Sequence, residues 1–338
     1  ICSDTTDLKK QLKKNKTKVV SEQQKDHEAI RNKVGYYDFT HKLLKVTGSD
    51  ASAFLDKMFV ADISGAGVGT AKYTTMLNEG GEIIDDVIVF HIDANTYWVS
   101  TLYIDELIAW FDRHRTYEAV SYKEITDITT MYAVQGPNSR EVMNQILKNP
   151  IDELKHFHIE DNQIDAMKVK IARSGYTGEL GYEIYCAPSD AAHIEQALEK
   201  CGRAYGIRRI DTDVIVTSIP REKGYVLMSD LAGTNPLETG FGWTVDWNKE
   251  FVGKEALRRA KKKGVKRSLV GFLVPEVSAH VQAGDDVKVN GRNVGKVTMF
   301  TYGYTIGQNI GFALIDTDMA KVGDAAVIGN FNTGAILT

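Results

Sequence analysis

The sequence predicts an α+β protein of more than one domain, ending in a small all-β barrel or sandwich. Three observations predict it. At 338 residues the chain exceeds one ordinary domain, and 43% hydrophobic with 25% charged residues is the balance of a globular protein with sizeable cores. As far as Lys263, segments with apolar residues at helical spacing are interspersed with short alternating or apolar runs. From Arg267 onward the helical pattern gives way to short strands separated by Gly-Asp, Asn-Gly and Gly-Asn turns.

Along the chain, residues 1–24 are rich in Lys, Thr and Gln and read as a loosely held helix or tail. Asp26–Val34 suits a short helix and Lys42–Val46 an alternating strand, after which Asp50 is an N-cap candidate for a helix over Ala51–Phe59. Gly80-Gly81 marks a hairpin turn leading into the buried strand Val87–Phe90, with Thr96–Ser100 as its pair. Asp105–Arg113 reads as an amphipathic helix. Met131–Gln135 is a strand stopped by Gly136-Pro137, and Ser139–Leu147 a further helix. Ala166–Ala172 alternates as a strand, and a turn punctuated by Gly175, Gly178 and Gly181 feeds another, Tyr182–Tyr185. Ala191–Cys201 follows as a helix; Arg208–Tyr225 is apolar and partly β-branched, with mixed signals. Phe241–Val245 reads as a strand and Gly253–Lys263 as a helix. Ser268–Val274, Asp286–Val289, Gly295–Phe300, Ile310–Ile315 and Ala325–Ile328 are the expected terminal strands.

Composition removes several function classes. A net charge of −4 gives no support to nucleic acid or an anionic membrane as partner, and the basic runs Lys9–Lys18 and Arg258–Lys263 read as solvated faces. No window is long and apolar enough for a membrane helix, and Ile1-Cys2-Ser3-Asp4 opens no signal peptide. Cys2, Cys186 and Cys201 are too few and scattered for a disulfide framework or a Cys-x-x-Cys metal site; a reducing, cytoplasmic setting fits them. The histidines include no His-Glu-x-x-His, so no metal is expected. Neither a dinucleotide fingerprint nor a P-loop is present. Cys186 reads as a buried structural residue.

Two features carry chemistry. Asp85 and Asp86 sit at the mouth of an apolar strand, where neighbours point to opposite faces, so one of them must face the inner side of the sheet. A carboxylate is costly to desolvate unless it is paired or working. Glu183 follows the glycine turn on a strand and has two readings: a salt bridge to a residue such as Arg173, or an acceptor for two parallel N–H groups of a flat heterocycle. Tyr176 and Trp243 are either core packing or stacking surfaces for such a ring.

The run Tyr73…Asn78-Glu79-Gly80-Gly81-Glu82-Ile83-Ile84-Asp85-Asp86-Val87-Ile88-Val89 resembles the central motif of the glycine-cleavage T-protein (aminomethyltransferase) family. Similar too are Ala133–Pro137, Ser174–Ile184, Glu222–Tyr225, Asn235–Trp243 and Phe251–Leu257, and Asp26–Arg31 leading into Tyr37-Asp38 resembles the N-terminal box. They run in family order from about residue 26 to 316. The resemblance implies a three-domain ring around a central folate pocket: residues 1–43 with 131–265, residues 44–130 carrying the acid hairpin, and a barrel-like 266–338. It implies an enzyme with tetrahydrofolate as one-carbon acceptor, a small-molecule one-carbon donor and a lipoyl carrier protein as a candidate partner. By position, Asp86 matches the catalytic aspartate, Glu183 the carboxylate holding the pterin edge, and Tyr73, Tyr176 and Trp243 the residues lining the folate.

The chain also departs from the family pattern. No Gly-Trp-x-Met-Pro segment opens it, and Trp98-Val99-Ser100-Thr101 stands where the family has Val-Val-Asn-Ala. The Arg-Asp-Ser-Leu-Arg-Leu-Glu box is replaced by Arg208 through Glu222, leaving Arg209 and Arg221 as candidates for its arginine. Thr298–Tyr304 replaces Thr-Ser-Gly-x-x-Ser-Pro. Such altered boxes resemble the tetrahydrofolate-dependent O- and S-demethylases of the same fold, whereas the intact Asp85-Asp86 pair is closer to the aminomethyltransferases. A non-catalytic folate-binding regulatory protein on this scaffold is a third expectation.

Overall fold

The computed structural model describes residues 21–338, so the Lys-rich leader Lys9–Lys18 and Cys2 lie outside the described residues. Ser21 starts helix α1 (Glu22–Asn32), its hydroxyl accepting the Gln24 N–H at 3.1 Å. Such a cap stabilises a helix by about 1 kcal/mol. Strands β1 (Val34–Asp38) and β2 (Lys42–Thr47) follow, then helix α2 (Ala51–Met58). Next come β3 (Ala71–Leu77), β4 (Ile83–Asp93), β5 (Thr96–Thr101), helix α3 (Ile104–His114) and β6 (Ser121–Glu124). The chain continues with β7 (Thr130–Gln135), α4 (Ser139–Ile146), β8 (Ile159–Ile164), β9 (Met167–Ala172), β10 (Gly181–Cys186), α5 (Ala191–Gly202) and β11 (Ile207–Arg209). Three short helices, α6 (Thr212–Val216), α7 (Ser218–Arg221) and α8 (Met228–Leu231), precede α9 (Lys254–Lys263). Strands β12 (Arg267–Val274), β13 (Asp286–Val289), β14 (Arg292–Gly303), β15 (Gln308–Asp316), β16 (Ala325–Ile328) and β17 (Thr333–Leu337) complete the chain.

These strands form a five-stranded sheet in the order β3-β4-β5-β2-β6, a six-stranded sheet β11-β1-β7-β10-β9-β8, and a closed barrel β12-β15-β14-β13-β16-β17. The expected α+β class with a terminal β-barrel is therefore borne out. The barrel closes through β17, which pairs with both β16 and β12; its Thr-Gly-Ala-Ile-Leu sequence carried no strand expectation.

The five-stranded sheet buries its two faces differently. Val87 and Val89 of β4 and Val99 of β5 pack against Phe54 and Leu55 of α2 and Phe111 of α3. Phe54 and Phe59 meet Phe111 edge-on at 5.2 and 5.9 Å, each pair contributing about 0.5–1.5 kcal/mol beyond area burial. The alternate residues Ile88, Phe90 and Trp98 face the other way, into a cluster with Tyr37, Ala133, Ala172 and Tyr185 of the six-stranded sheet. The two sheets thus share one apolar seam, with Phe90 and Trp98 against the Tyr185 ring at 5.7 and 5.8 Å.

Two local expectations are corrected. Phe241–Thr244 is a 3-10 turn rather than a strand: Gly240 enters it at φ +79°, a left-handed conformation that no strand uses. The mixed segment Arg208–Tyr225 resolves into the end of β11 and helices α6 and α7, whose brevity leaves no periodic signal in the sequence.

Candidate active site

The acid hairpin is built by its turn. Gly81 takes φ +84°, and the Asn78 and Glu82 backbones close the loop at 2.9 Å. Gly253, the N-cap of α9, lies against this turn, where a Cβ would come within 2.4 Å of the Asn78 carbonyl. The register that follows pairs Thr75 with Asp86, Tyr73 with Ile88, and Ile88 with Ser100.

Strand alternation then separates the two acids. Asp85 points with Val87 toward the helices, is 1% exposed, and accepts the Thr101 hydroxyl at 2.6 Å. Burial pushes its carboxyl up to about 8. Asp86 points with Ile88 to the seam, where its Oδ2 accepts the Tyr73 hydroxyl at 3.0 Å. Burial raises the Asp86 carboxyl too, with Tyr73 acting against the rise. Thr75, directly opposite Asp86, has a buried hydroxyl without a partner. Burial holds the Tyr73 and Tyr176 phenols above their ordinary value and the Asp86 charge adds to it, so all three residues share one electrostatic neighbourhood.

Across the seam, the glycine turn has a single physical centre in Gln135 at the end of β7. Its side-chain amide donates to the Ser174 carbonyl at 3.0 Å and accepts the Thr177 hydroxyl at 2.7 Å. A Cβ at either Gly175 or Gly181 would fall 2.1 Å from that amide, so the backbone wraps it only as glycine. This turn delivers Tyr176, whose hydroxyl donates to the Val226 carbonyl, and leads into β10 with Glu183.

Glu183 is 6% exposed, and its Oε2 accepts both the Ser174 hydroxyl at 2.6 Å and the Tyr185 hydroxyl at 2.8 Å. The expected alternative, a salt bridge to Arg173, is not formed: that guanidinium donates to the Leu154 carbonyl at 3.0 Å. Burial raises the Glu183 carboxyl, and among the described residues no cation pairs with it or with Asp86. Tyr37 lies in line with Glu183, both paired through Ala133, and its buried hydroxyl has no partner.

Of the sequence candidates, Asp86, Tyr73 and Tyr176 are therefore brought together, and Glu183 faces the same seam. Trp243 stands apart, 73% exposed on the 3-10 turn, while its neighbour Phe241 packs on the Tyr73 ring at 5.3 Å. Arg209 is exposed and paired with Glu195. Arg221 is buried, with one guanidinium nitrogen donating to Asp230 and to the Tyr225 carbonyl at 3.1 Å. Of the two, Arg221 is the one whose charge reaches the site, acting on the Tyr176 phenol against the effect of burial. Sequence reasoning missed Gln135 and Tyr185; the signal for Tyr185 was its place two residues after Glu183, hence on the same strand face. No group able to hold a metal occurs among the described residues.

The profile of the GCVT N-terminal domain matches residues 9–249, and that of the glycine cleavage T-protein C-terminal barrel domain matches residues 267–334. The chain belongs to the glycine cleavage T-protein family. The aminomethyltransferase of Bacillus subtilis is 35% identical over 312 residues, spanning 88% of this chain and 84% of that protein. The aminomethyltransferase of Halalkalibacterium halodurans is 31% identical over 313 residues, spanning 90% and 84%. Among solved structures, the glycine cleavage system aminomethyltransferase T from Bartonella henselae superposes with a TM-score of 0.83 over 93% of this chain and 87% of that one. At 23% identity this likeness shows the T-protein fold.

Proposed function

We propose that this T-protein family member is an aminomethyltransferase, moving a one-carbon unit from an aminomethyl group on a carrier-bound lipoyl thiol to tetrahydrofolate with release of ammonia. One observation carries the reading: two carboxylates, the half-buried Asp86 and the buried Glu183, face one seam and neither has a cationic partner among the described residues. An unpaired buried carboxylate is costly, and a ligand offering N–H groups removes that cost.

The residues present fit a reduced pterin. Both hydroxyl bonds to Glu183 fall on Oε2, which leaves Oε1 outside them, and the orphaned hydroxyls of Tyr37 and Thr75 add donor and acceptor capacity on the same faces. When bound, tetrahydrofolate supplies the nitrogens that accept the carbon. Glu183 then holds the ligand's N–H edge, its own orientation fixed by Ser174 and Tyr185. Asp86, steadied through Oδ2 by Tyr73, offers Oδ1 to hold or accept a proton, or to stabilise cationic charge as the donor's carbon–nitrogen bond opens. Tyr176 lines the ligand, and the exposed Trp243 indole is left open to stack on it. Holding two reactants against fixed groups supplies much of the rate.

The second reading is a demethylase taking a methyl group from an oxygen, sulfur or nitrogen of a small molecule. The motif departure at Trp98–Thr101 favours it, since Ser100 stands on the Asp86 face of the sheet. Incubation with tetrahydrofolate and a donor panel, read by mass spectrometry of the folate, separates the readings. Methylene product with free ammonia is expected. A methyl product replaces this function by the second, and no product from any donor leaves a non-catalytic folate binder.

A further inference from the structure

Arg31 lies in the last turn of α1 with its side chain 7% exposed, and every nitrogen of its guanidinium is bonded. Nη1 donates to the Thr177 carbonyl at 2.7 Å and to Glu179 at 2.9 Å. Nη2 donates to the Ile219 carbonyl at 2.5 Å and to Glu222 at 3.2 Å, and Nε stands 3.4 Å from the same Glu222 oxygen. A planar fork of fixed donors serves all of these acceptors at once, which the point charge of a lysine does not. Glu222 is also held from the barrel, its Oε1 accepting the Thr305 N–H at 2.8 Å, so it gives Arg31 a fixed anchor.

Both ends of Tyr176 hang on the segments that Arg31 ties. Thr177, the next residue in the glycine turn, is fully buried and gives its hydroxyl to Gln135 at 2.7 Å. Among the described residues no donor other than Arg31 reaches the Thr177 carbonyl, and a buried carbonyl left unpaired is costly. At the far end, the Tyr176 hydroxyl donates to the Val226 carbonyl, shortly after α7, the helix that Arg31 holds at Ile219 and just past its end at Glu222. The link between is short and bonded, since the Tyr225 N–H returns to the Pro220 carbonyl at 3.0 Å. Arg31 itself touches neither Asp86 nor Glu183; its carboxylate partners are Glu179 and Glu222.

We propose that Arg31 is a positioning residue of the folate site, fixing Tyr176 at its backbone and at its hydroxyl so that the ring is set on the seam before the ligand arrives. The inference rests on the reading that Tyr176 and Glu183 hold the folate. A wall already in place lowers the ordering cost of binding, so the effect belongs to affinity and not to the chemical step.

The test is calorimetric titration of the full chain with tetrahydrofolate, beside turnover at saturating folate with a carrier-bound aminomethyl donor. Arg31→Lys keeps the charge but loses the fork. It is expected to weaken folate binding about tenfold, the worth of one charge-assisted bond, with saturated turnover within about twofold of wild type. Val142→Ala, in the core on the opposite face of the six-stranded sheet, is the control for a merely structural loss: it lowers stability in urea and is expected to leave folate affinity unchanged. Glu222→Gln keeps an oxygen for Thr305 but loosens the charged hold on Arg31, and is expected to weaken folate binding about threefold; it decides the matter should Arg31→Lys not fold. Wild-type folate affinity in Arg31→Lys or in Glu222→Gln overturns the proposal, as does an equal loss of affinity in Val142→Ala. If Glu183→Gln binds folate as wild type does, the reading of the site fails instead.

Discussion

The acid hairpin and the glycine turn each present one carboxylate to the same seam, but they hold it differently. Glu183 sits on an inner strand of the six-stranded sheet, 6% exposed, with two hydroxyls on one oxygen and a turn behind it locked around Gln135. Asp86 sits near the start of β4, next to the edge strand, more exposed than Glu183 and held by the single hydroxyl of Tyr73. The difference teaches a division of labour. A group locked on several sides suits binding, where a fixed geometry lowers the cost of association. A group with one tether and a free oxygen suits a proton or charge task that changes during reaction.

The sharpest way to break this division is to neutralise each acid in turn. Asp86→Asn is expected to cut turnover by at least about a hundredfold, the scale of general acid–base removal, while tetrahydrofolate affinity holds. Steady-state kinetics beside calorimetric titration decide it, and near-normal turnover removes Asp86 from the chemistry. Glu183→Gln should do the converse, weakening folate binding by roughly 10–100-fold, the worth of a charge-assisted bond. If instead turnover falls at unchanged affinity, the two roles are reversed. Tyr73→Phe sharpens the contrast at a finer level. Tyr73 donates to the charged form of Asp86 and so lowers its pKa; losing that bond raises it. The acid limb of the kcat/KM profile should move upward by up to about one pH unit, as a net hydrogen bond is worth about 1 kcal/mol.

How much of this was legible follows from which residues carry local signals. The hairpin was readable because Gly80-Gly81 and the apolar run fix a turn and a strand, and alternation then forces the two acids apart. The barrel was readable from its turn dipeptides. The three-glycine turn was visible as punctuation, yet its cause, Gln135, lies about forty residues upstream and meets it only through β7–β10 pairing. The Glu183 partner was likewise non-local in effect: Arg173 is near in sequence, but Ser174 and Tyr185 own the correct side of the chain. Phe241–Val245 read as a strand because aromatic and β-branched residues favour sheets. A left-handed Gly240 and a tertiary contact of Phe241 with Tyr73 overrode that preference.

The neighbouring acid tests whether the hairpin's other face is structural. Asp85 titrates near 8 when folded against an ordinary 3.8, so the folded state keeps a proton that the unfolded state has lost across that window. Its contribution to stability therefore falls as pH rises from about 4 to about 8, by at most about 1.4 kcal/mol per unit. Asp85→Asn removes that dependence. Its unfolding free energy in urea should gain on the wild type through the window and run parallel above it. A gap that stays constant from pH 4 to 8 would mean that Asp85 is ionised when folded, and the core-facing side would then need a cation it does not have.

The smallest effect should come from Trp243, and it separates packing from ligand stacking most cleanly. At 73% exposure the indole contributes little to the folded state, so Trp243→Ala should change stability by less than about 0.5 kcal/mol. An aromatic contact to a bound ring is worth about 0.5–1.5 kcal/mol, which predicts a loss of folate affinity between about twofold and tenfold. Phe241 holds its place on Tyr73 in either case, so Asp86 keeps its tether and turnover at saturating folate should be unchanged. A fall in saturated turnover would instead assign the Gly240–Thr244 turn to positioning Tyr73, and the seam's looser half would then extend through that turn.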